Sequence, residues 1–170
     1  MSTAQAVLQI EPHSSEIDTG LETAYRKDMS EALSDILGAT YKLTIISHIY
    51  HWNVVGPLFK SLHELTEEHY NDLFAAADVI AERIRALDSL APVKQLSFET
   101  FVPERSDIKD LKAYDMIVDL IGMHESLVRT MRRAAAVAGE HGDVVTEDML
   151  TARLTFHEKA LWMLRAISAE

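Results

Sequence analysis

Beyond the first two dozen residues, apolar side chains recur at three- and four-residue steps in four separate stretches, each much longer than an ordinary strand. In the first stretch Met29, Leu33, Ile36, Leu37, Thr40, Leu43 and Thr44 make one stripe, which predicts a helix from about Asp28 to about His51 or Asn53. Gly56-Pro57 interrupts it, because proline disfavours helix at the residue before it. The second stretch starts near residues 59–61 and runs to about Asp88. The third carries Ile117, Leu120, Ile121, His124, Leu127, Val128, Met131, Ala135 and Ala138 on one face and ends at residues 139–142. The fourth spans about Thr146 to Ser168, with Leu150, Leu154, His157, Leu161 and Leu164 aligned. Residues 89–107, between Pro92 and Pro103, are too long for a structureless link inside a compact domain, so a short helix is expected over 97–101.

Four long helices, two short connections and one long central one predict an all-α four-helix bundle with a crossover. That is the ferritin-like connectivity rather than plain up-down-up-down. Residues 1–20 show no period and hold Pro12, Gly20 and the paired Ser14 and Ser15. They read as a flexible N-terminal arm, with residues 21–170 as the single bundle domain. A chain of 170 residues suffices for one core burying roughly 70% of its unfolded surface.

Composition removes several chemistries. There is no Cys, which excludes disulfides, thiolate metal sites, Cys nucleophiles and iron–sulfur clusters. Neither a Gly-rich phosphate loop, nor a Ser elbow between strand and helix, nor an HExxH pair is present. No apolar run approaches the roughly 18 residues of a membrane span. No Lys or Arg precedes Arg26, as the leading region of a secretory signal would require. A cytoplasmic protein without membrane contact is therefore expected. With 16 Lys+Arg against 27 Asp+Glu, the chain has a formal charge of −11.

Metal-capable side chains are concentrated. His48, His51, His63 and His69 are four of the 8 histidines, and Glu64, Glu67, Glu68, Asp78 and Glu82 lie around or just after them. Imidazole and carboxylate together suit iron, zinc or manganese. No Glu stands three residues before any histidine, so the Glu-x-x-His pattern of a di-iron site inside one bundle is missing. At about 100° per residue, with His63 at zero, Glu67 falls near ~40°, Asp78 near ~60° and Glu82 near ~100°. The apolar Leu62, Leu65, Leu73, Ala76, Ile80, Ile84 and Leu87 fall between roughly 200° and 300°. The second helix therefore has an apolar face and, nearly opposite, a metal-capable one. His63 and Asp78 are about 22 Å apart along the axis, so no single metal reaches both within one chain.

Other polar residues have plainer readings. His124 and His157 sit on apolar stripes and His69 on the apolar arc, as hydrogen-bonded core histidines. His13 and His141 belong to arm and loop. His48, one turn before His51, could serve as an accessory ligand or on the path to it. Trp52 and Trp162 are expected as core anchors. Asp143, Glu147 and Asp148 surround the start of the fourth helix, where acids are favoured by the helix dipole.

The run His51-Trp52-Asn53-Val54, Gly56-Pro57, Phe59, then Leu62-His63-Glu64, Glu67, and Asp78 followed by Ala81-Glu82-Arg83-Ile84-Arg85 resembles the signature of the Dps family, the mini-ferritins. The resemblance extends from the first helix to the last and is weakest over the arm. It implies a hollow shell of twelve subunits that oxidises Fe(II), preferably with hydrogen peroxide, and stores ferric mineral against oxidative stress. The ferroxidase site would lie between two subunits, with His51, His63 and Glu67 from one and Asp78 and Glu82 from its partner. Glu67 stands where many relatives have Asp. Glu64 and Glu68 match positions linked with mineral nucleation. In that family acids near the start of the fourth helix line channels on threefold axes, and Asp143, Glu147 and Asp148 are the candidates for them here. Zinc or manganese compete for the same donors.

The family's name carries a second reading, a DNA-compacting protein. Relatives that bind DNA directly use a Lys/Arg-rich tail, whereas residues 1–25 here hold four acids, Glu11, Glu16, Asp18 and Glu22, and no Lys or Arg. Phosphate binding depends on cation contacts and counterion release. We expect no retardation of duplex DNA in a low-salt gel shift with chelator present; clear retardation there would show the charge argument to be wrong.

Overall fold

A computed structural model describes residues 18–92 and 111–169 of the chain. The expected short helix over 97–101, residues 1–17 of the arm, and His13 with them, lie outside the described residues. Four helices make up the described part: α1 (Thr23–Asn53), α2 (Phe59–Ala86), α3 (Ala113–Glu140) and α4 (Val144–Ile167). The principal packings are α1 on α2, α3 on α4, α1 on α3 and α2 on α4. Consecutive α2 and α3 are thus not principal neighbours. This pairing of the four helices is the ferritin-like arrangement rather than up-down-up-down.

The spacing read from sequence is the burial observed. Leu33, Ile36, Leu37 and Leu43 of α1, Leu62, Leu73, Ile80 and Ile84 of α2, Ile117 and Leu120 of α3 and Leu150 and Leu164 of α4 are all buried. At about 25 cal/mol per Å² of apolar surface, this continuous core dominates stabilisation. Tyr50 Oη donates to Asp119 Oδ2 at 2.7 Å, tying α1 to α3, and Arg153 pairs with Asp72 at 2.7 Å, tying α4 to α2.

Several expectations are corrected. α1 begins at Thr23, five residues before Asp28. The added turn is held by a distant partner: buried Tyr25 donates to Asp143 Oδ2 at 2.9 Å, across 118 residues of sequence. Asp143 is not a channel acid. It is 2% exposed and is the N-cap of α4, where its carboxylate accepts from the Thr146 backbone N–H at 3.0 Å and the Thr146 hydroxyl at 2.6 Å. Arg83 of α2 donates to the same carboxylate at 2.7 Å. Burial pushes the Asp143 carboxyl up, but the hydrogen bonds from Thr146, Arg83 and Tyr25 outweigh it and hold the group below its ordinary value. Trp52 and Trp162 are not core anchors either; they are 64% and 68% exposed on the outer faces of α1 and α4. Glu147 and Asp148 are exposed, and His141 is exposed with its ring stacked 4.5 Å from that of Tyr25.

The α3–α4 turn brings Asp143 into position. Gly142 adopts a left-handed φ of 69°, and the Asp143 N–H donates to the Ala138 carbonyl at 2.9 Å, a glycine-dependent helix ending. His69, His124 and His157 are buried, as expected. The Nδ1 atoms of His124 and His157 lie 2.8 Å apart, so one ring donates to the other and the two carry opposite tautomers. Burial first, then neighbouring histidines and Arg153, lowers His124 to about 2; burial, then Arg153 and His69, lowers His157 to about 3.

Two outcomes follow from this packing. Asp143→Ala removes the α4 cap and strands the nearly buried Arg83, and should cost about 3 kcal/mol or more. Urea unfolding at fixed protein concentration measures it; Asp143→Asn, which keeps an acceptor at the cap, should cost less. The second outcome concerns pH. The depressed His124 and His157 contribute fully above the unfolded value of 6.5, where neither state binds the proton. As pH falls below that value the unfolded chain takes up protons that the folded pair refuses. Unfolding free energy should therefore fall by up to ~1.4 kcal/mol per pH unit for each histidine, down toward the folded values. Urea unfolding between about pH 7 and pH 4 should show the slope, and His124→Gln/His157→Gln should reduce it.

Candidate metal centre

The α1–α2 corner builds the densest group of metal-capable side chains. α1 ends when the Val54 N–H donates to the Tyr50 carbonyl at 3.0 Å, and Gly56, at φ 91°, turns the chain into α2. The hairpin places His51, in the last turn of α1, against His63, in the second turn of α2. Their rings stack with centroids 3.7 Å apart and planes 17° from parallel.

Each ring is oriented by the other residue's backbone. His51 Nδ1 lies 2.9 Å from the His63 carbonyl oxygen, and His63 Nδ1 lies 2.8 Å from the His51 carbonyl oxygen. A carbonyl only accepts, so both Nδ1 atoms carry the hydrogen and donate. Nε2 is the nitrogen left on each ring to bind a metal. A backbone carbonyl on the far ring nitrogen is the usual way a ligating histidine is fixed in tautomer and orientation. Thr66 Oγ1 also donates to the His63 carbonyl, at 3.1 Å, and to the Leu62 carbonyl at 2.7 Å.

Aromatic rings hold the pair. Phe59 stacks on His63 at 5.0 Å, and Tyr70 meets His51 edge-on at 5.4 Å. His48 does not join the two histidines as a third stacked ligand. Its ring lies 4.1 Å from Tyr70 and 4.1 Å from the exposed Trp52, and burial, then His51, lowers its proton affinity. Phe59 belongs to the signature run read from sequence, whereas Thr66 and Tyr70 were not singled out. The signal for Thr66 and Tyr70 is their step of three and seven residues from His63, which keeps them near its face of α2.

The carboxylates occupy two places. Glu67 is one turn beyond His63 and exposed; Glu64 and Glu68 are exposed beside it, Glu64 in a 3.7 Å ion pair with Lys60. Asp78 and Glu82 are exposed near the other end of α2. The opposite face, Leu62 through Ile84, is buried, so the two-faced reading of α2 holds. Among the described residues, no three His, Asp or Glu side chains of one chain converge on a point that could hold a metal ion. His51 and His63 come together; Asp78 and Glu82 do not reach them.

The ferritin-like domain family matches residues 30–170. An uncharacterised low temperature-induced protein of Nostoc is 36% identical over 152 residues, covering 88% of this chain and 85% of that one. The DNA protection during starvation protein of Brevibacillus brevis is 35% identical over 123 residues, covering 70% of this chain and 80% of its own. The crystal structure of a Dps protein from Vibrio cholerae, described as a member of the broad superfamily of ferritin-like diiron-carboxylate proteins, superposes with a TM-score of 0.75 at 28% identity, covering 86% of this chain and 92% of that one.

Proposed function

The chain belongs to the Dps family of ferritin-like proteins, and on that premise we propose that it is a ferroxidase that oxidises Fe(II) with hydrogen peroxide and stores the ferric product inside a shell of twelve subunits. The metal is substrate and cargo. Two ferrous ions supply the two electrons that break the peroxide O–O bond, and the oxygens leave as water or hydroxide. Pairing the electrons in this way avoids a free hydroxyl radical. His51, His63 and Glu67 would hold iron from one subunit, and Asp78 and Glu82 from its partner. Glu64 and Glu68 extend the carboxylate surface toward mineral growth. Neutral imidazoles bind Fe(II) without making the site too anionic, while carboxylates favour Fe(III) as it forms. Zinc and manganese would compete there.

The observation that supports this reading is that His63, Glu67, Asp78 and Glu82 share the face of α2 opposite its buried one. Residues 63 and 82 have their midpoint at 72.5, and so do 67 and 78. A twofold axis crossing α2 between Asp72 and Leu73 would therefore set His63 opposite the partner's Glu82 and Glu67 opposite the partner's Asp78. Each dimer would hold two equivalent sites, and a closed twofold contact is the commonest association of soluble subunits. The exposed Phe74 and Val79 on α2 suit burial in such a contact. The bundle is taken as one domain over residues 21–170 with residues 1–20 as its arm. Glu147 and Asp148 remain candidates for a hydrophilic path through the shell, since a hydrated cation does not cross an apolar wall. The acidic arm and net charge of −11 favour iron handling over direct DNA compaction.

The test is complementation. His63→Ala and Asp78→Ala should each oxidise Fe(II) slowly as assembled proteins. Mixed by disassembly and reassembly, they should regain activity. In a mixed dimer one of the two sites carries both defects and the other carries neither. Mixed dimers as inactive as their parents would overturn the shared site.

A further inference from the structure

The two halves of the reciprocal His51–His63 contact are built differently. His51 lies in the last turn of α1, whose carbonyls have no helical N–H left to accept from, so its oxygen is free for His63 Nδ1 at 2.8 Å. The His63 carbonyl has no such freedom. It lies inside α2, where helical geometry assigns it to the N–H of Glu67, four residues on. The same oxygen nevertheless accepts from His51 Nδ1 at 2.9 Å. An interior carbonyl reaches an outside donor by leaning away from the helix axis, which lengthens its helical bond. A lean of that kind needs a local cause.

Thr66 offers one. Its side chain is fully buried, and its Oγ1 donates to the Leu62 carbonyl at 2.7 Å and to the His63 carbonyl at 3.1 Å. Thr40 and Thr44 of α1 show the ordinary pattern, each donating at 2.8 Å to the carbonyl four residues back. Such a bond bends a helix and weakens it slightly. The Thr66 hydroxyl reaches a second oxygen, three residues back, and that oxygen is the one that orients His51. We propose that Thr66 is a positioning residue: its hydroxyl keeps the His63 carbonyl tilted toward α1, and through that carbonyl it fixes the tautomer and the ring direction of His51. The carbonyls of Leu62 and His63 keep their helical partners without it, so the hydroxyl acts on His51 more than on the fold. It acts on one member of the pair only, because the carbonyl that orients His63 is free by its place at a helix end. The consequence for iron rests on the proposed ferroxidase reading; the orientation of the ring does not.

Thr66→Val keeps the shape of the side chain and removes the hydroxyl; Thr66→Ser restores it. Isotopic nitrogen labelling of histidine, read by magnetic resonance on the metal-free full chain, shows which ring nitrogen carries the hydrogen, and His51→Gln identifies the His51 signals. His51 should be a single Nδ1–H tautomer in the unaltered chain and in Thr66→Ser, and a mixture of both tautomers in Thr66→Val. Affinity for zinc, a redox-silent probe, should fall about tenfold in Thr66→Val, the scale of loss when a group that orients a ligand is removed, and return in Thr66→Ser. The urea midpoint of Thr66→Val should not fall, since a hydroxyl bonded back along its own helix adds little stability. An unchanged His51 tautomer in Thr66→Val would overturn the proposal, as would a Thr66→Ser variant that stays mixed. A mixed tautomer accompanied by a lower midpoint would assign the effect to the fold and overturn it too. A mixed tautomer at an unchanged midpoint, with zinc affinity and Fe(II) oxidation both unaltered, would uphold the positioning role and overturn instead the reading of His51 as an iron ligand.

Discussion

One buried carboxylate joins more of this bundle than any single apolar contact. Asp143 starts α4, closes the turn from α3, receives Tyr25 from α1 and Arg83 from α2, and so touches every helix or its adjoining turn. A charge 2% exposed is tolerable only because each lone-pair direction has a donor. The knot sits at the end of the bundle where α2 finishes, opposite the hairpin that carries His51 and His63. The metal-capable corner is therefore spared any structural ion pair of that kind, and its carboxylates stay exposed.

What could be read from sequence, and what could not, follows the range of the interactions. The two faces of α2 were legible, since Leu62, Leu73 and Ile84 on one side and His63, Asp78 and Glu82 on the other are fixed by helical geometry alone. Burial of His124 and His157 was legible from their stripes; that they bond each other was not, because their partner lies on another helix. The first turn of α1 was missed because Tyr25 is held by a residue 118 positions away. Asp143 was assigned to a channel because a helix-start acid looks alike in sequence whether it points out to water or in toward Arg83. Trp52 and Trp162 were expected as core anchors, yet their neighbours, half-buried His51 and buried Leu161, take the inward directions.

The reciprocal bonds between His51 and His63 are the part of the centre with no signature in spacing. They require the five residues 54–58 to bring two helix ends together with each ring under the other's carbonyl. Once formed, they commit both tautomers, so little reorganisation would be left for the proposed metal binding. Phe59 and Tyr70 complete this by restricting the rings from the sides.

Because His63, Glu67, Asp78 and Glu82, the residues of the two proposed half-sites, lie on a single uninterrupted helix, the residue count of α2 acts as a phase setting. One residue inserted between Glu67 and Asp78 would rotate Asp78 and Glu82 by about 100°, from the metal-capable face toward the apolar one. Two full turns, seven residues, would restore the angle to within ~20° but lengthen the separation by about 10 Å and move the twofold midpoint. Change in chain length is therefore channelled into the segments outside the helices, and α2 can drift in side-chain identity far more freely than in length.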